Sequence, residues 1–421
     1  MPDNSESRWP KIILVYALGV FAVAVISVAV PEIGGIAREL HPHSPATLGW
    51  VISMPALVAA LAALAVGWLV DTLGDRRILL AGGLILVAGD IGTATSHNLS
   101  TLLGWRVVGG VGYVCMAVAA VTMMTRLAQG RERTAALALW STVIPASFIV
   151  AFFAGSVLLV PGQWRLAFGG HATITAILLV LGVVFLRARG AGEDNVARTA
   201  GIGLVLRSIW PYVLGLSFAA NACLQTGVIA ALPQMLSKSI GASEAQVHSF
   251  NILAMLINML GALGVGVALN RGVKALSIGI TGISLCALAC LGLATAPTGF
   301  APAMAMNCGF MLGCGMLVGL WALLPLVAPS WQTLGATSGL ITQITLVGVL
   351  FGPPAALFSL STGVLSSVSG GSLPSLASGS SGFLLFVGLS LAASLIGLPV
   401  WLKADHAASA GKPQGIALGL H

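Results

Sequence analysis

Long apolar segments recur along the whole chain, separated by short polar stretches. A helix of about 18 or more apolar residues is long enough to cross the hydrocarbon core of a bilayer, roughly 30 Å thick. Strands of a membrane barrel would instead alternate apolar and polar residues over about ten positions, and that alternation is missing from the sequence. The pattern predicts an all-α polytopic membrane protein with twelve transmembrane helices at residues 11–37, 47–70, 78–97, 100–124, 135–159, 166–187, 206–230, 244–268, 275–295, 300–327, 334–360 and 382–402.

The composition supports this fold class. Of 421 residues, 57% are hydrophobic and 7% are charged, whereas soluble domains carry roughly 25% charged residues. A soluble fold of this length would lack the charges to cover its surface. The 53 glycines suit a membrane protein, because small residues let neighbouring helices approach closely.

The basic residues predict the orientation of the chain. Under the twelve-helix scheme, fifteen Lys and Arg lie in the loops and termini on one side, and three lie on the other. Because cytoplasmic loops are enriched in basic residues, we expect both termini in the cytoplasm, with the chain in a bacterial inner membrane. The net charge of +7 therefore reflects topology and does not indicate a nucleic-acid partner.

The longest charged connection follows the sixth predicted helix. It predicts an N-terminal six-helix bundle at 1–187, a cytoplasmic linker at 188–205 and a C-terminal six-helix bundle at 206–421. Two equal halves joined in this way are typical of secondary transporters built from repeats. The uncharged Ser/Gly-rich stretch at 361–382 is interpreted as a flexible loop on the outer face.

The stretch "GWLVDTLGDRRILL" connects the second and third predicted helices. Its spacing resembles the signature loop of the major facilitator superfamily, although Thr72 and Asp75 stand where basic residues are usual. The residues that carry the resemblance, called the signature loop below, are Gly67, Asp71, Gly74, Arg76 and Arg77. The resemblance implies two pseudo-symmetric six-helix bundles and a conformational latch. In physical terms, Asp71 is suited to pair with arginines or to cap a neighbouring helix.

Other segments extend the resemblance over most of the chain. "LLGWRVVGGVG" resembles the family's second motif, with Arg106 as its arginine, and "SGLITQITLVGVLFGPPAAL" resembles the eleventh helix of drug-efflux-like, proton-coupled members. Two positions depart from the family pattern. Val150 and Ala151 stand where antiporter-type members carry Gly-Pro, and Asn270 replaces an acid in the second-half counterpart of the signature loop.

Three Asp, Glu, Lys or Arg residues lie inside the predicted helices away from their ends, namely Glu32, Asp90 and Arg106. Since a charge at the middle of the membrane costs roughly 2.5–3.5 kcal/mol, such residues usually have a partner or a function. We predict a Glu32–Arg106 interaction in which Glu32 carries the proton, with Asp90 as a further candidate. The alternatives are a water-exposed helix end for Glu32, a clamp on backbone carbonyls for Arg106, and local packing for Asp90. His171 is interpreted as an interfacial or packing histidine that could titrate near neutral pH.

Neutral polar side chains predict the substrate-binding surface. Asn221 and Gln225 lie four residues apart and therefore share one face of a helix. By the resemblance, the seventh and tenth helices line the substrate cavity. The full set of candidates is Asn221, Gln225, Asn258, Asn307, Gln343 and Trp140. Each amide is equally suited to bridge two helices, and Trp140 to pack in the core.

These features favour a secondary active transporter that exports a small, largely neutral or amphiphilic organic compound by alternating access, coupled to protons. The alternative is a proton-coupled uptake symporter for a small organic nutrient. A transport-dead receptor or a membrane enzyme is disfavoured, because the sequence shows no nucleotide loop, catalytic triad or metal-ligand spacing. We expect no cofactor and no metal, a small-molecule substrate, protons and the lipid bilayer as partners, and a monomer.

Overall fold

The computed structural model describes residues 8–41, 45–153, 163–186, 202–241, 244–295, 299–361 and 380–409. The predicted linker and the 361–382 loop lie largely outside these residues. The described chain is helical and contains no strand. The helices of its first part are α1 Trp9–Ser27, α2 Ala29–Leu40, α3 Pro45–Leu73, α4 Asp75–Ala94, α5 Leu99–Leu127, α6 Gly130–Trp140, α7 Val143–Phe153, α8 Trp164–Phe185 and α9 Ile202–Arg207. Those that follow are α10 Ile209–Ile240, α11 Glu244–Asn270, α12 Ala275–Ala294, α13 Phe300–Gly319, α14 Leu324–Val327, α15 Leu334–Ser361, α16 Ser380–Ser394 and α17 Leu398–Ser409.

Eleven helical segments among the described residues are long and apolar enough to cross a membrane. A twelfth forms if α6 and α7, which meet at an angle of 42°, are counted as one span. Many large apolar side chains are exposed, among them Leu61, Leu84 and Phe358 at 74%, 68% and 68%. Such exposure is unusual for a soluble monomer and is expected where helices face lipid. The predicted all-α, polytopic membrane fold is confirmed.

The predicted fifth span, 135–159, differs from the structure in being broken. The helical hydrogen bonds stop at Ser141 and Thr142, and the hydroxyl of each donates to a backbone carbonyl three residues earlier, at 2.6 and 2.7 Å. Local bonds of this kind compete with a regular helix. Residues 154–159 lie outside the described part of the chain.

Two compact units are defined by contacts along the chain. The first unit contains the residues up to Pro211 together with Val327–Gln343, and the second contains Tyr212–Leu326 and the residues from Ile344 onward. Helix α15 therefore belongs to the first unit at its start and to the second unit beyond Gln343. The predicted bundle boundaries at 187 and 206 stay predictions.

Glycines allow α4 and α5 to pack closely in the first unit. A Cβ atom added at Gly89 would lie 2.5 Å from the backbone nitrogen of Gly109, a contact that real side chains do not tolerate. Gly74, with φ of 94°, ends α3 and starts α4 in a conformation that favours glycine. The tight α3–α4 turn and the close α4–α5 packing thus follow from glycine positions.

In the second unit, α13 packs against both α11 and α12. A Cβ atom at Gly313 of α13 would lie 2.7 Å from Cys286 Sγ on α12, and the sulfurs of Cys286 and Cys314 are 3.7 Å apart. Gly261 on α11 approaches the carbonyl oxygen of Leu312 on α13 in the same way. Close helix packing through small residues is the expected means of association in lipid.

Candidate functional site

The carboxylate of Asp71 contacts the first turn of α15. Its Oδ1 accepts a hydrogen bond from the backbone N–H of Gly335 at 2.8 Å, and its Oδ2 accepts one from Ala336 at 2.7 Å. The exposed N–H groups of a helix start attract an anion. Asp71, at the end of α3, therefore caps a helix that begins more than 260 residues later in the chain.

Arg126, at the end of α5, is the base that pairs with Asp71. Its two terminal nitrogens lie 2.8 Å from Asp71 Oδ1 and 3.4 Å from Asp75 Oδ2, and both ion pairs are largely shielded from solvent. The signature-loop arginines point elsewhere. Arg76 donates to the carbonyls of Leu186 and Val183 on α8. Sequence reasoning missed Arg126 as the partner, although its place at the end of the fourth predicted helix put it on the same side of the membrane.

The glycine of the signature loop that precedes Asp71 permits backbone contact between α3 and α15. A Cβ atom at Gly67 would clash with the carbonyl of Gly335 and would lie 2.9 Å from the Cα of Ala336. Gly339, one turn further along α15, meets the backbone of Ala63 on α3 in the same manner. The backbones of α3 and α15 therefore lie directly against each other at Gly67 and Gly339, next to the Asp71 contact.

Glu32 and Arg106 are both buried, each at 1% exposure. The predicted Glu32–Arg106 interaction stays a prediction, since no hydrogen bond joins the two side chains in this structure. Arg106 Nε donates to the carbonyl of Val51 at 2.7 Å, and the guanidinium lies 5.2 Å from the ring centroid of Phe168. Its two terminal nitrogens have no hydrogen-bond partner among the described residues. The carbonyl clamp that the sequence left open for Arg106 is thus present, and the exposed helix end considered for Glu32 is not.

Asp90 and His171 form a buried hydrogen-bonded pair that the sequence did not predict. The Nδ1 of His171 lies 2.7 Å from Asp90 Oδ2, and its Nε2 lies 2.8 Å from the backbone oxygen of Phe21. The pair joins α8 to α4 and α1. Asp90 also interacts electrostatically with Arg106. The sequence does place Asp90 and His171 within predicted membrane helices. It does not give the rotation of those helices about their axes, and so it does not show that the two side chains meet.

Three of the candidate substrate-binding amides converge on α13 in the second unit. Asn258 of α11 donates to the carbonyl of Met311 at 3.0 Å, Asn221 of α10 donates to that of Cys314 at 3.5 Å, and Gln225 lies 3.6 Å from the sulfur of Met311. Asn221 and Gln225 do share one face of α10. The Oδ1 of Asn221 is buried and has no hydrogen-bond partner among the described residues.

The remaining candidates lie elsewhere. Asn307 on α13 is buried, and its Nδ2 has no hydrogen-bond partner. Gln343 belongs to the first unit, where its side-chain oxygen accepts from the backbone N–H of Leu64 at 3.2 Å. Trp140 is 6% exposed and fills the space beside Gly19. Within the described part of the chain, no group of three or more His, Cys, Asp or Glu is placed to hold a metal ion.

The described chain is thus a set of membrane-length helices with buried charged side chains in the first unit and with Asp71 capping a helix start far away in the sequence. The sequence matches the profile of the Major Facilitator Superfamily over residues 12–353. The chain belongs to this superfamily and is a membrane transporter.

Curated relatives include carriers of opposite direction. The chain is 31% identical to the arabinose-proton symporter of Escherichia coli K12 over 137 residues, which is 32% of this chain and 29% of that protein. It is 26% identical to the multidrug efflux pump LfrA of Mycolicibacterium smegmatis over 274 residues, 59% of this chain and 54% of that pump. The matched segments thus span about a third to a half of these relatives.

Solved structures share the fold at low sequence identity. The proton:xylose symporter XylE superposes with a TM-score of 0.75 at 15% identity, covering 96% of this chain and 99% of that one. The human organic anion transporter MFSD10 gives a TM-score of 0.74 at 14% identity, with 93% and 100% covered. These likenesses concern the fold alone.

Proposed function

We propose that this transporter exports a small, largely neutral or amphiphilic organic compound in exchange for protons, by alternating access. The observation that carries the proposal is the separation of buried polar chemistry between the two units. The buried ionisable side chains Glu32, Asp90, Arg106 and His171 all belong to the first unit. Among the described residues of the second unit, the buried polar side chains are neutral serines and asparagines.

Neutral amides suit a neutral ligand. An asparagine side chain offers both donors and an acceptor but no charge, so it does not select a phosphate ester or a dicarboxylate. Asn221 and Asn307 keep unpartnered polar atoms in the second unit. We therefore assign substrate contact first to these two residues, while Asn258, Gln225, Gln343 and Trp140 have contacts that stabilise helix packing.

Proton coupling is assigned to the first unit. The proton affinity of a carboxylate that is buried away from water depends more strongly on its surroundings than that of a carboxylate in solvent. A conformational change around such a group can therefore bind or release a proton. Glu32 remains the proposed proton carrier, and Arg106, whose terminal nitrogens are unpartnered, is the base that approaches it in another conformation. The signature loop would then stabilise the conformation seen here through Asp71 and release it during transport.

Export is favoured over uptake by two observations. The 338–357 segment resembles the eleventh helix of drug-efflux-like members, and LfrA matches over a longer stretch than the symporters do. Uptake is the second candidate, because two sugar-proton symporters of Escherichia coli match at 30–31% identity.

The test is transport into proteoliposomes with an imposed pH gradient, using the sugars L-arabinose, D-galactose and D-xylose and the amphiphilic dye rhodamine 6G as probes. Exchange with protons predicts accumulation of a probe in vesicles with an acidic lumen, whereas symport predicts accumulation when the external medium is acidic. Glu32→Gln should abolish both. Glu39→Gln is the matched control on the same helix, because Glu39 is exposed and pairs with Arg165. Accumulation of a sugar with external acid would replace the export assignment by the symport one.

A further inference from the structure

His171 contacts two polar groups, one through each ring nitrogen. Nδ1 faces the Asp90 carboxylate at 2.7 Å and Nε2 faces the Phe21 backbone oxygen at 2.8 Å. The Phe21 ring stacks on the imidazole with centroids 5.6 Å apart and planes 13° from parallel. The side chains of His171 and Asp90 are 4% and 1% exposed. Both contacts are therefore sheltered from water, and their hydrogens must come from the groups themselves.

The donors and acceptors at the two contacts determine how many protons the Asp90–His171 pair carries. A backbone carbonyl only accepts, so Nε2 must carry a hydrogen. A neutral imidazole with hydrogen on Nε2 has an acceptor at Nδ1, and Asp90 must then be a protonated acid that donates to it. An ionised Asp90 only accepts, and His171 must then be an imidazolium. In both arrangements one proton lies between Nδ1 and Asp90 Oδ2.

A pair without that proton does not fit this geometry. A neutral His171 beside an ionised Asp90 would set two lone pairs against each other at one of the two contacts, whichever tautomer it adopts. Arg106 on α5 is close enough to Asp90 for their charges to influence each other. Among the described residues, the Oδ1 of Asp90 and both terminal nitrogens of Arg106 have no hydrogen-bond partner, so both side chains have capacity for a new contact. Loss of the proton therefore drives Asp90 away from His171 and towards Arg106.

The other charged groups near the pair come from the helices packed on α4 and α8. These groups are Arg106 of α5 and the buried Glu32 of α2. Helix α1 contacts His171 through the uncharged carbonyl and ring of Phe21. Arg165 of α8 is occupied by Glu39 and the Ala94 carbonyl. The charges at the start of α4 and the end of α3 lie about 20 Å along α4 from Asp90, at 1.5 Å per residue: Asp71, Asp75, Arg76 and Arg77.

We propose that Asp90 and His171 form a proton-binding site distinct from Glu32, which holds α8 against α4 while it carries a proton. On release, the shared proton passes from the pair to water. This leaves Asp90 ionised, so that it moves to Arg106, and leaves His171 neutral, with its remaining hydrogen on Nε2 donated to the Phe21 carbonyl. A role of this site in transport rests on the proton coupling proposed above. The binding of a proton at the site is independent of that proposal.

The first test measures the proton directly in the purified full-length protein at pH 7. In ¹⁵N-histidine NMR, the His171 signal is assigned with His171→Gln or, without any variant, by its proximity to labelled phenylalanine rings. The expected result is either two N–H groups on His171 or an infrared band of a protonated carboxyl. The band should disappear in Asp90→Asn and persist in Asp405→Asn, whose carboxylate accepts from the backbone N–H groups of Ala275 and Leu276 at the start of α12. A singly protonated His171 together with an ionised Asp90 would overturn the proposal.

The second test measures whether the proton controls the α4–α8 contact. Spin labels at cysteines replacing Ile91 and Ile174, which are 52% and 44% exposed, report the distance between the two helices once the six native cysteines are replaced. We expect the distance to change between pH 6 and pH 9, and to lose this response in Asp90→Asn, because asparagine donates to a neutral His171 without a titrating proton. An unchanged pH response in Asp90→Asn, or none in the parent protein, would refute the coupling.

Neither measurement uses a substrate. A negative result in these tests would contradict the Asp90–His171 proton site but not the proposed export. A protein that is inactive in transport but has a protonated pair would contradict the export proposal but not this site.

Discussion

Replacing Asp71 with asparagine removes the charge that holds the start of α15 against α3. The carboxylate accepts from the N–H groups of Gly335 and Ala336 and from Arg126, all at 2.7–2.8 Å. Asparagine keeps a single oxygen and places an NH₂ group where the second oxygen lay. One backbone N–H of α15 therefore loses its acceptor, and the ion pair between Asp71 and Arg126 is lost, while Arg126 keeps its 3.4 Å contact with Asp75.

The size of the effect follows from these bonds. Losing a charge-assisted hydrogen bond costs about 1.5–3 kcal/mol, and an orphaned buried donor adds cost in the same range. Because Arg126 keeps one partner and the site is partly hydrated, we take a net loss of about 2–3 kcal/mol. At 1.4 kcal/mol per factor of ten, the α3–α15 contact should open roughly 30- to 150-fold more often.

The assay is the rate of thiol labelling at Thr337→Cys in a background without native cysteines. Thr337 is fully buried beside the Asp71 contact, so its labelling requires opening. Asp71→Asn should raise the rate by the factor above, while Arg77→Gln, which removes a charge that donates to the carbonyl of Leu73, should not. A second background, which keeps Cys290 as its one cysteine and lacks Thr337→Cys, reports global unfolding, because Cys290 is buried in the second unit; there Asp71→Asn should not raise the labelling rate.

Equal rates in Asp71→Asn and Arg77→Gln would refute the reasoning that Asp71 stabilises this contact. We also expect Asp71→Asn to slow transport of whichever probe the proteoliposome assay identifies. Transport at the parent rate would mean that the signature loop has no mechanistic role here.

Three further predictions concern the membrane topology, the proton carrier and the packing of α4 on α5. A cysteine at Ser366, outside the described residues, should react with an impermeant thiol reagent added to intact cells, and one at Ser330 should not; the reverse would overturn the predicted topology. Glu32→Gln should abolish uphill transport driven by a pH gradient while downhill exchange survives, since glutamine keeps the shape but does not titrate; persistent uphill transport would exclude Glu32 as the proton carrier. Gly89→Ala should destabilise the protein by about 1–3 kcal/mol through overpacking against α5, measured as a fall in melting temperature, whereas Gly104→Ala, with open space around it, should leave it unchanged or slightly higher.

The sequence by itself determined the membrane fold class and the approximate number of helices. An apolar run long enough to span lipid has few alternatives to a helix, because every backbone polar group must find its partner within the segment. The same local logic placed Gly74 at the turn between α3 and α4 and put Asn221 and Gln225 on one face of α10. The break at Ser141 and Thr142 was not predicted, since both residues are compatible with a continuous helix.

Only the tertiary structure decided which buried groups meet. Asp71 pairs with Arg126 across 55 residues and caps a helix start at Gly335, and Asp90 pairs with His171 across 81 residues. The pattern of apolar residues fixes the length of a span but constrains its rotation weakly when all its faces are apolar, as in these helices. The expected Glu32–Arg106 interaction requires a particular rotation of two such helices. In the structure, Arg106 reaches the Val51 carbonyl and the Phe168 ring.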